Sequence, residues 1–182
     1  MGILLTKLWR LWSNDQQQKI IIIGLDNAGK TTLLYRLLLN QTVPTTPTIG
    51  SNVEEVTYKN IKFLMWDLGG QDSLRTSWST YFVDAKAVVM VVDSTDKKRL
   101  HLVKEELQQL VQQDSVRDAS MLVYANKQDL AGSLSATQIS EALDLTSLKD
   151  HPWQIQACSA KKGEGIHEGL DWIVTQLISK ST

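Results

Sequence analysis

Gly24-Leu25-Asp26-Asn27-Ala28-Gly29-Lys30-Thr31 is the stretch on which the reading of this chain turns. It fits G-x-x-x-x-G-K-[ST], and its surroundings give the match its weight. Just before it, Lys19–Ile23 is a β-branched run ending at a glycine, the pattern of a buried strand. Just after it, residues 30–39 carry leucines at helical spacing. A glycine-rich turn between strand and helix can point its backbone N–H groups inward around an anion, with the positive end of the helix dipole beneath. Lys30 can then reach the β- and γ-phosphates of a nucleotide, and the Thr31 hydroxyl can ligate Mg²⁺. The plainer reading, a glycine turn with a surface lysine, does not account for the flanking strand and helix.

Outward from this loop, apolar runs alternate with helical patterns. Asn52–Tyr58 and Ile61–Asp67 are separated only by Lys59-Asn60, which is hairpin length. Ala85–Val92 reads as the next strand and 97–112 as an amphipathic helix capped by Ser94 or Thr95. Ser120–Ala125 and Trp153–Ala157 complete six strands, with helices over 135–143 and Ile166–Ile178. The expected fold is α/β: a six-stranded, mostly parallel sheet with one antiparallel edge strand and helices on both faces. Polar Ser13–Gln18 links an N-terminal apolar helix to the first strand. The predicted organisation is therefore residues 1–16 as amphipathic helix and linker, and 17–182 as one nucleotide-binding domain.

Composition fits a single ordinary globular domain: 182 residues, 42% hydrophobic, net charge -1. A near-neutral balance and a pI of about 6.3 argue against nucleic acid as a partner. Lys97-Lys98-Arg99 opens a helix that continues into Glu105-Glu106, so it reads as a solvated helix face. A single cysteine, Cys158, cannot close an internal disulfide, and His101, His151 and His167 lack metal-like spacing. No apolar run approaches the ~20 residues of a membrane-spanning helix.

Two further motifs complete a nucleotide site. The strand Phe63-Leu64-Met65-Trp66 ends in Asp67, where a carboxylate suits a water-mediated Mg²⁺ contact. Gly69-Gly70-Gln71 follows: Gly70 lets a backbone N–H approach a γ-phosphate, and Gln71 can orient water for in-line attack. Asn126-Lys127-Gln128-Asp129 lies at the end of a later strand, where ligands of open α/β sheets gather. The Asp129 carboxylate can accept from guanine N1–H and its 2-amino group, a donor pair adenine lacks. The Lys127 stem can lie along the base plane. Cys158-Ser159-Ala160-Lys161, after the last strand, is placed to close over the base.

With these elements in order, the chain resembles the Arf and Arf-like branch of the Ras-type small GTPases over essentially its whole length. The marks are G-L-D-x-A-G-K-T-T at 24–32, P-T-I-G at 47–50, W-D-x-G-G-Q at 66–71 and N-K-Q-D at 126–129. The resemblance implies a GTPase that binds GTP and GDP with Mg²⁺. It implies nucleotide contacts from Asp26, Asn27, Ala28, Gly29, Lys30, Thr31, Thr32, Gly70, Asn126, Lys127, Asp129, Ser159, Ala160 and Lys161. Thr48 becomes the switch I threonine, binding Mg²⁺ together with Thr31 and, through water, Asp67. Gln71 becomes the catalytic water-positioning residue of switch II. In this family, GTP exchange shifts the strand pair between the switches and expels the N-terminal helix onto a membrane; residues 52–66 stand where that pair belongs. Arf proteins usually carry phenylalanine where this chain has Ser51, beside residues matching Trp66 and Tyr81, so Arf-like fits better than Arf. S-N-V-E-E-V after P-T-I-G and the opening G-I-L-x-T-x-x-W-R-L look most like the fifth Arf-like group, associated with trans-Golgi and endosome-to-Golgi traffic.

Met1-Gly2-Ile3-Leu4-Leu5-Thr6 fits the pattern for myristoylation at Gly2. Leu4, Leu5, Leu8, Trp9 and Trp12 lie on one helical face, with Lys7 and Arg10 toward another. One myristoyl chain binds membranes only marginally, with K of about 10⁴ M⁻¹, so an apolar helix is the second element it needs. The expected protein is a monomer, cytoplasmic and cycling to Golgi membranes. Its expected partners are the membrane surface, an exchange factor, a GTPase-activating protein and trafficking effectors, a Golgi tether among them. No arginine finger is assignable in cis; Arg75 and Arg99 read as surface helix residues. The rival readings are a GTP-binding adaptor with negligible hydrolysis and an ATP-using phosphate-loop enzyme.

Overall fold

A computed structural model describes residues 17–39, 50–59, 61–75 and 77–180. Gly2, the N-terminal helix over 1–16 and Thr48 lie outside the described residues. The strands are β1 (Gln18–Ile23), β2 (Ser51–Tyr58), β3 (Ile61–Leu68), β4 (Ala87–Asp93), β5 (Ser120–Asn126) and β6 (Trp153–Ala157). The helices are α1 (Lys30–Leu39), the single turn α2 (Asp72–Arg75), α3 (Leu100–Val111), α4 (Ala136–Leu143) and α5 (Ile166–Lys180). The sheet order is β2-β3-β1-β4-β5-β6. Only the hairpin pair β2–β3 is antiparallel, so the antiparallel strand is at the edge as expected.

The isoleucine run of β1 explains why both faces must be covered. Alternate residues of a strand point to opposite faces. Ile20 and Ile22 join one buried cluster with Leu33 and Leu34 of α1 and Leu170, Ile173 and Leu177 of α5. Ile21 and Ile23 join the other, with Val103, Leu107 and Leu110 of α3 and Ile139 and Leu143 of α4. All four isoleucines have 0% exposure, and burial of each stabilises the fold by about 1.5–3 kcal/mol. Among the described residues, no helix is long and apolar enough to cross a membrane.

Three local expectations are corrected. Strand β4 starts at Ala87, not Ala85, because the Ala85 amide is taken by a turn, donating back to Phe82 O at 3.0 Å; Lys86 leads into the strand, its amide bonded to Lys19 O and its carbonyl to the Ser120 amide. Neither Ser94 nor Thr95 caps the following helix, which enters through a 3₁₀ turn at Lys97–Arg99. The reason is competition from Asp93, whose Oδ1 takes both the Thr95 amide (2.9 Å) and its hydroxyl (2.6 Å). Ser94 is buried and accepts instead from Gln128 Nε2 at 3.0 Å. Finally, Arg75 and Arg99 are not free surface residues; both bind the loops described next.

Candidate nucleotide site

Four loops meet above the C-terminal ends of β1, β3, β5 and β6. The first leaves β1 at Gly24 and becomes α1 at Lys30, so the first amides of that helix have no intrahelical acceptor. Lys30 is 6% exposed, and its Nζ donates to Leu25 O at 2.9 Å. Burial lowers its pKa, against the pull of Asp67 and Asp26. A buried cation in that position gains from an anion set beside it.

The loop after β3 packs directly on this one. Asp67 is fully buried, and Thr31 Oγ1 donates to its Oδ2 at 2.5 Å. A hydroxyl and a carboxylate on hydrogen-bonding terms are hard oxygen donors that suit Mg²⁺. Among the described residues, no three His, Cys, Asp or Glu side chains cluster as a metal cage. The donor set therefore fits a cation that takes its remaining oxygens from phosphates and water, as Mg²⁺ commonly does.

Gly70 accepts the Asp26 amide at 3.0 Å. A Cβ at position 70 would stand 2.4 Å from Gly24 O and Leu25 C, so only glycine permits this approach. Trp78 Nε1 donates to Gly69 O at 3.0 Å, and Gly69 N–H donates to Gly50 O at 2.9 Å. Gln71 is exposed beside them, and its carbonyl accepts the Leu74 amide at 2.9 Å and the Arg75 amide at 3.2 Å, at the end of α2.

Both arginines tie these loops to α3 or its entry. Arg75 pairs with Glu106 at 2.7 Å, binds Asp72 and approaches Gly70 O at 3.4 Å. Arg99 Nη1 bonds Asp26 Oδ1 at 2.8 Å and its Nε bonds Asp96 at 2.5 Å. Each guanidinium already faces carboxylates, so neither stands ready as a finger in cis. Trp66 and Tyr81 pack at 5.6 Å, Lys19 Nζ lies 5.0 Å over the Trp66 ring, and Ser51 is exposed at the start of β2.

The base side is built on Asn126 at the end of β5. Its Nδ2 donates to Ala28 O at 2.8 Å and its Oδ1 accepts the Ala160 amide at 2.9 Å, stitching the phosphate loop to the loop after β6. Ser159 Oγ donates to Asp129 Oδ1 at 2.7 Å, leaving Oδ2 for a second donor. Lys127 reaches Asp93 Oδ2 at 2.6 Å, so its stem is held down across the site. Burial would raise the Asp93 pKa, but bonds from Lys127 and Thr95 outweigh it and leave the carboxyl below its ordinary range. Cys158 is buried and its thiol is pushed far up by burial, so it is a packing residue.

The sequence-predicted residues Asp26 through Thr32, Asp67, Gly70, Gln71, Asn126, Lys127, Asp129 and Ser159 through Lys161 thus belong to these four meeting loops. Sequence reasoning missed three contributors: Asp93, Arg99 and Arg36, whose guanidinium reaches the loop after β6. Asp93 and Arg36 carry no motif, and Arg99, within Lys97-Lys98-Arg99, reads in sequence as part of a solvated basic run.

Comparison with known proteins agrees with this architecture. The model of the ADP-ribosylation factor family matches residues 4–177. ADP-ribosylation factor-like protein 5A of Bos taurus is 53% identical over 177 residues, 97% of this chain and 98% of that protein. ADP-ribosylation factor-like protein 1 of Saccharomyces cerevisiae is 51% identical over 175 residues, 96% of each. A solved structure of the Arl6 BBS3 small GTPase from Trypanosoma brucei, with bound nucleotide analogue GppNp, superposes with a TM-score of 0.83. It is 35% identical and covers 92% of this chain and 100% of its own. With its sheet order, its four loops and these matches along nearly its whole length, the chain belongs to the ADP-ribosylation factor family and has the small-GTPase fold.

Proposed function

We propose that this protein is a membrane-cycling switch of Golgi and endosomal traffic: GTP sends its N-terminal helix and Gly2-linked myristoyl chain to a lipid surface, where it recruits effectors. As a member of its family, the protein binds GTP and GDP with Mg²⁺, hydrolyses GTP, and works with exchange factors, activating proteins and effectors. The residue roles are those the family resemblance implies, and the geometry of the described residues is compatible with them. Lys30 and the inward amides take the phosphates, Thr31 and Asp67 hold Mg²⁺ with Thr48 as the third protein contributor, and Gln71 orients the attacking water. Asp129, oriented by Ser159, selects guanine, with Lys127 along the base and Ala160 and Lys161 closing over it. Mg²⁺, when bound, would neutralise phosphate charge, held by Thr31 and Thr48 and, through water, by Asp67.

The observation that carries this reading is Asn126. One side chain bonds Ala28 of the phosphate loop and Ala160 of the base loop, tying the two subsites to each other. The Golgi assignment rests on likeness to the fifth Arf-like group, and the membrane assignment on Gly2 and the Leu–Trp face of residues 1–16. The protein is expected to act as a cytoplasmic monomer between membrane visits. Flotation with liposomes tests the switch: acylated protein loaded with a non-hydrolysable GTP analogue should float, and the GDP form should stay behind. Equal flotation of both forms would overturn it.

A further inference from the structure

Helix α1 starts at the phosphate loop, yet a side chain near its far end serves the opposite subsite. Arg36 Nε donates to Ala160 O at 3.2 Å, and Nη2 donates to the carbonyl of Lys161. The guanidinium lies against Gly163, where φ is +81°. A Cβ there would stand 3.3 Å from Arg36 Nε and 3.4 Å from its Cδ, tighter than ordinary packing. From the other side, Asn126 Oδ1 takes the Ala160 amide at 2.9 Å. Ala160 is thus held at both its N–H and its C=O, by side chains from β5 and α1. Two backbone bonds brace the same loop internally: Gly163 N–H to Ser159 O at 2.8 Å and Ser159 N–H to Glu164 O at 2.9 Å.

We infer that Arg36 is a positioning residue for nucleotide retention: it clasps the 159–161 loop closed over the purine and so sets the rate at which guanine nucleotide leaves. The inference rests on the proposed base-binding role of that loop and of Asp129. A planar fork suits two neighbouring carbonyls, and bonds from a charged donor are about twice as strong as neutral ones. A base sandwiched behind this loop departs only when the loop lifts. Lifting it breaks both carbonyl bonds to Arg36 together with the Asn126–Ala160 bond. Lysine at this position would offer a point charge to one carbonyl at a time, and glutamine a weaker neutral donor.

Release of a fluorescent GDP from the full chain, chased with excess unlabelled GDP in Mg²⁺, tests the clasp. Arg36→Gln should speed release about tenfold, the scale expected from removing charge-assisted bonds at a part-exposed site. Arg36→Lys should fall between Arg36→Gln and the parent chain, and the urea midpoints of the nucleotide-loaded proteins should fall by no more than the weaker nucleotide retention accounts for. Asp129→Asn is the control for the base site itself and should also speed release. If Arg36→Gln releases at the parent rate while Asp129→Asn is fast, the clasp is wrong and the base site stands. If neither variant is faster, both readings fall. A loss in urea midpoint larger than the faster release accounts for, with Arg36→Lys no better than Arg36→Gln, would reduce Arg36 to a structural residue and overturn the inference.

Discussion

Gln71 sits at the edge of the phosphate side with its side chain exposed, while the residues before it are buried and held by named bonds. That contrast assigns the neighbouring glycines to holding the loop and leaves the glutamine free to act on water. Replacing it with leucine keeps the bulk and removes both polar ends. Gln71→Leu should slow single-turnover GTP hydrolysis about a hundredfold, the scale of a misplaced reactant, with GTP affinity retained; unchanged turnover would remove Gln71 from this role. Most of the residues that carry chemistry were legible one by one, because loops around phosphates and bases need specific side chains at close spacing. Lys30, Thr31, Asp67 and Asn126 stand on strand ends or a helix start that the apolar pattern had located, and Asp129 lies in the turn just beyond β5. Arg36 and Arg99 were not legible, since an arginine on a helix or in a basic run carries no sign of what it will face in three dimensions.

Among the elements, the loop after β3 is the most constrained. It is held by the Asp26 amide at Gly70 O, by Trp78 at Gly69 O and by the Arg75–Glu106 pair from α3. Gly70→Ala places a Cβ 2.4 Å from backbone atoms of the phosphate loop, which cannot yield as a flexible side chain can. The expected result is a displaced loop: hydrolysis lost in single-turnover assays while GDP still binds, because GDP makes no demand on the γ-phosphate side. The turn after β4 is another such tie. Asp93 holds Lys127 and Thr95, and those bonds keep its pKa lowered in the folded chain against the effect of burial. A carboxylate so lowered contributes stability that is present above its unfolded value, near 3.9, and is lost as pH falls through its folded value. Asp93→Asn should therefore cost about 1 kcal/mol in urea unfolding at pH 6 and less at pH 3, which lies below the unfolded value, where the stabilising contribution of the carboxylate is already falling. An equal cost at both pH values would assign the effect to shape and not charge. The same aspartate explains the failed helix cap. Ser94 and Thr95 look like capping residues in sequence, but Asp93 claims the threonine and Gln128 donates to the serine.

At the level of the whole molecule, six strands in a mostly parallel sheet with one antiparallel edge were readable, because the central strands are apolar runs between helical patterns and two strands form a two-residue hairpin; the order β2-β3-β1-β4-β5-β6 was not. Parallel strands buried on both faces leave little freedom in how helices cover them. The short turn α2, the 3₁₀ segments and the exact strand starts were not readable, since they depend on contacts between loops distant in sequence. The sheet brings phosphate, cation and base subsites to one edge, and the Asn126 bridge makes them a single site. Everything proposed about switching and membrane attachment depends on that site choosing guanine. The direct test is competition: labelled GDP on the purified protein is displaced by unlabelled GDP or ADP, with and without Mg²⁺. The account predicts that GDP competes at least about a hundredfold better than ADP, since unpaired polar groups penalise the wrong base, and that chelating Mg²⁺ weakens guanine nucleotide binding. Equal competition by ADP, or binding indifferent to Mg²⁺, would contradict it.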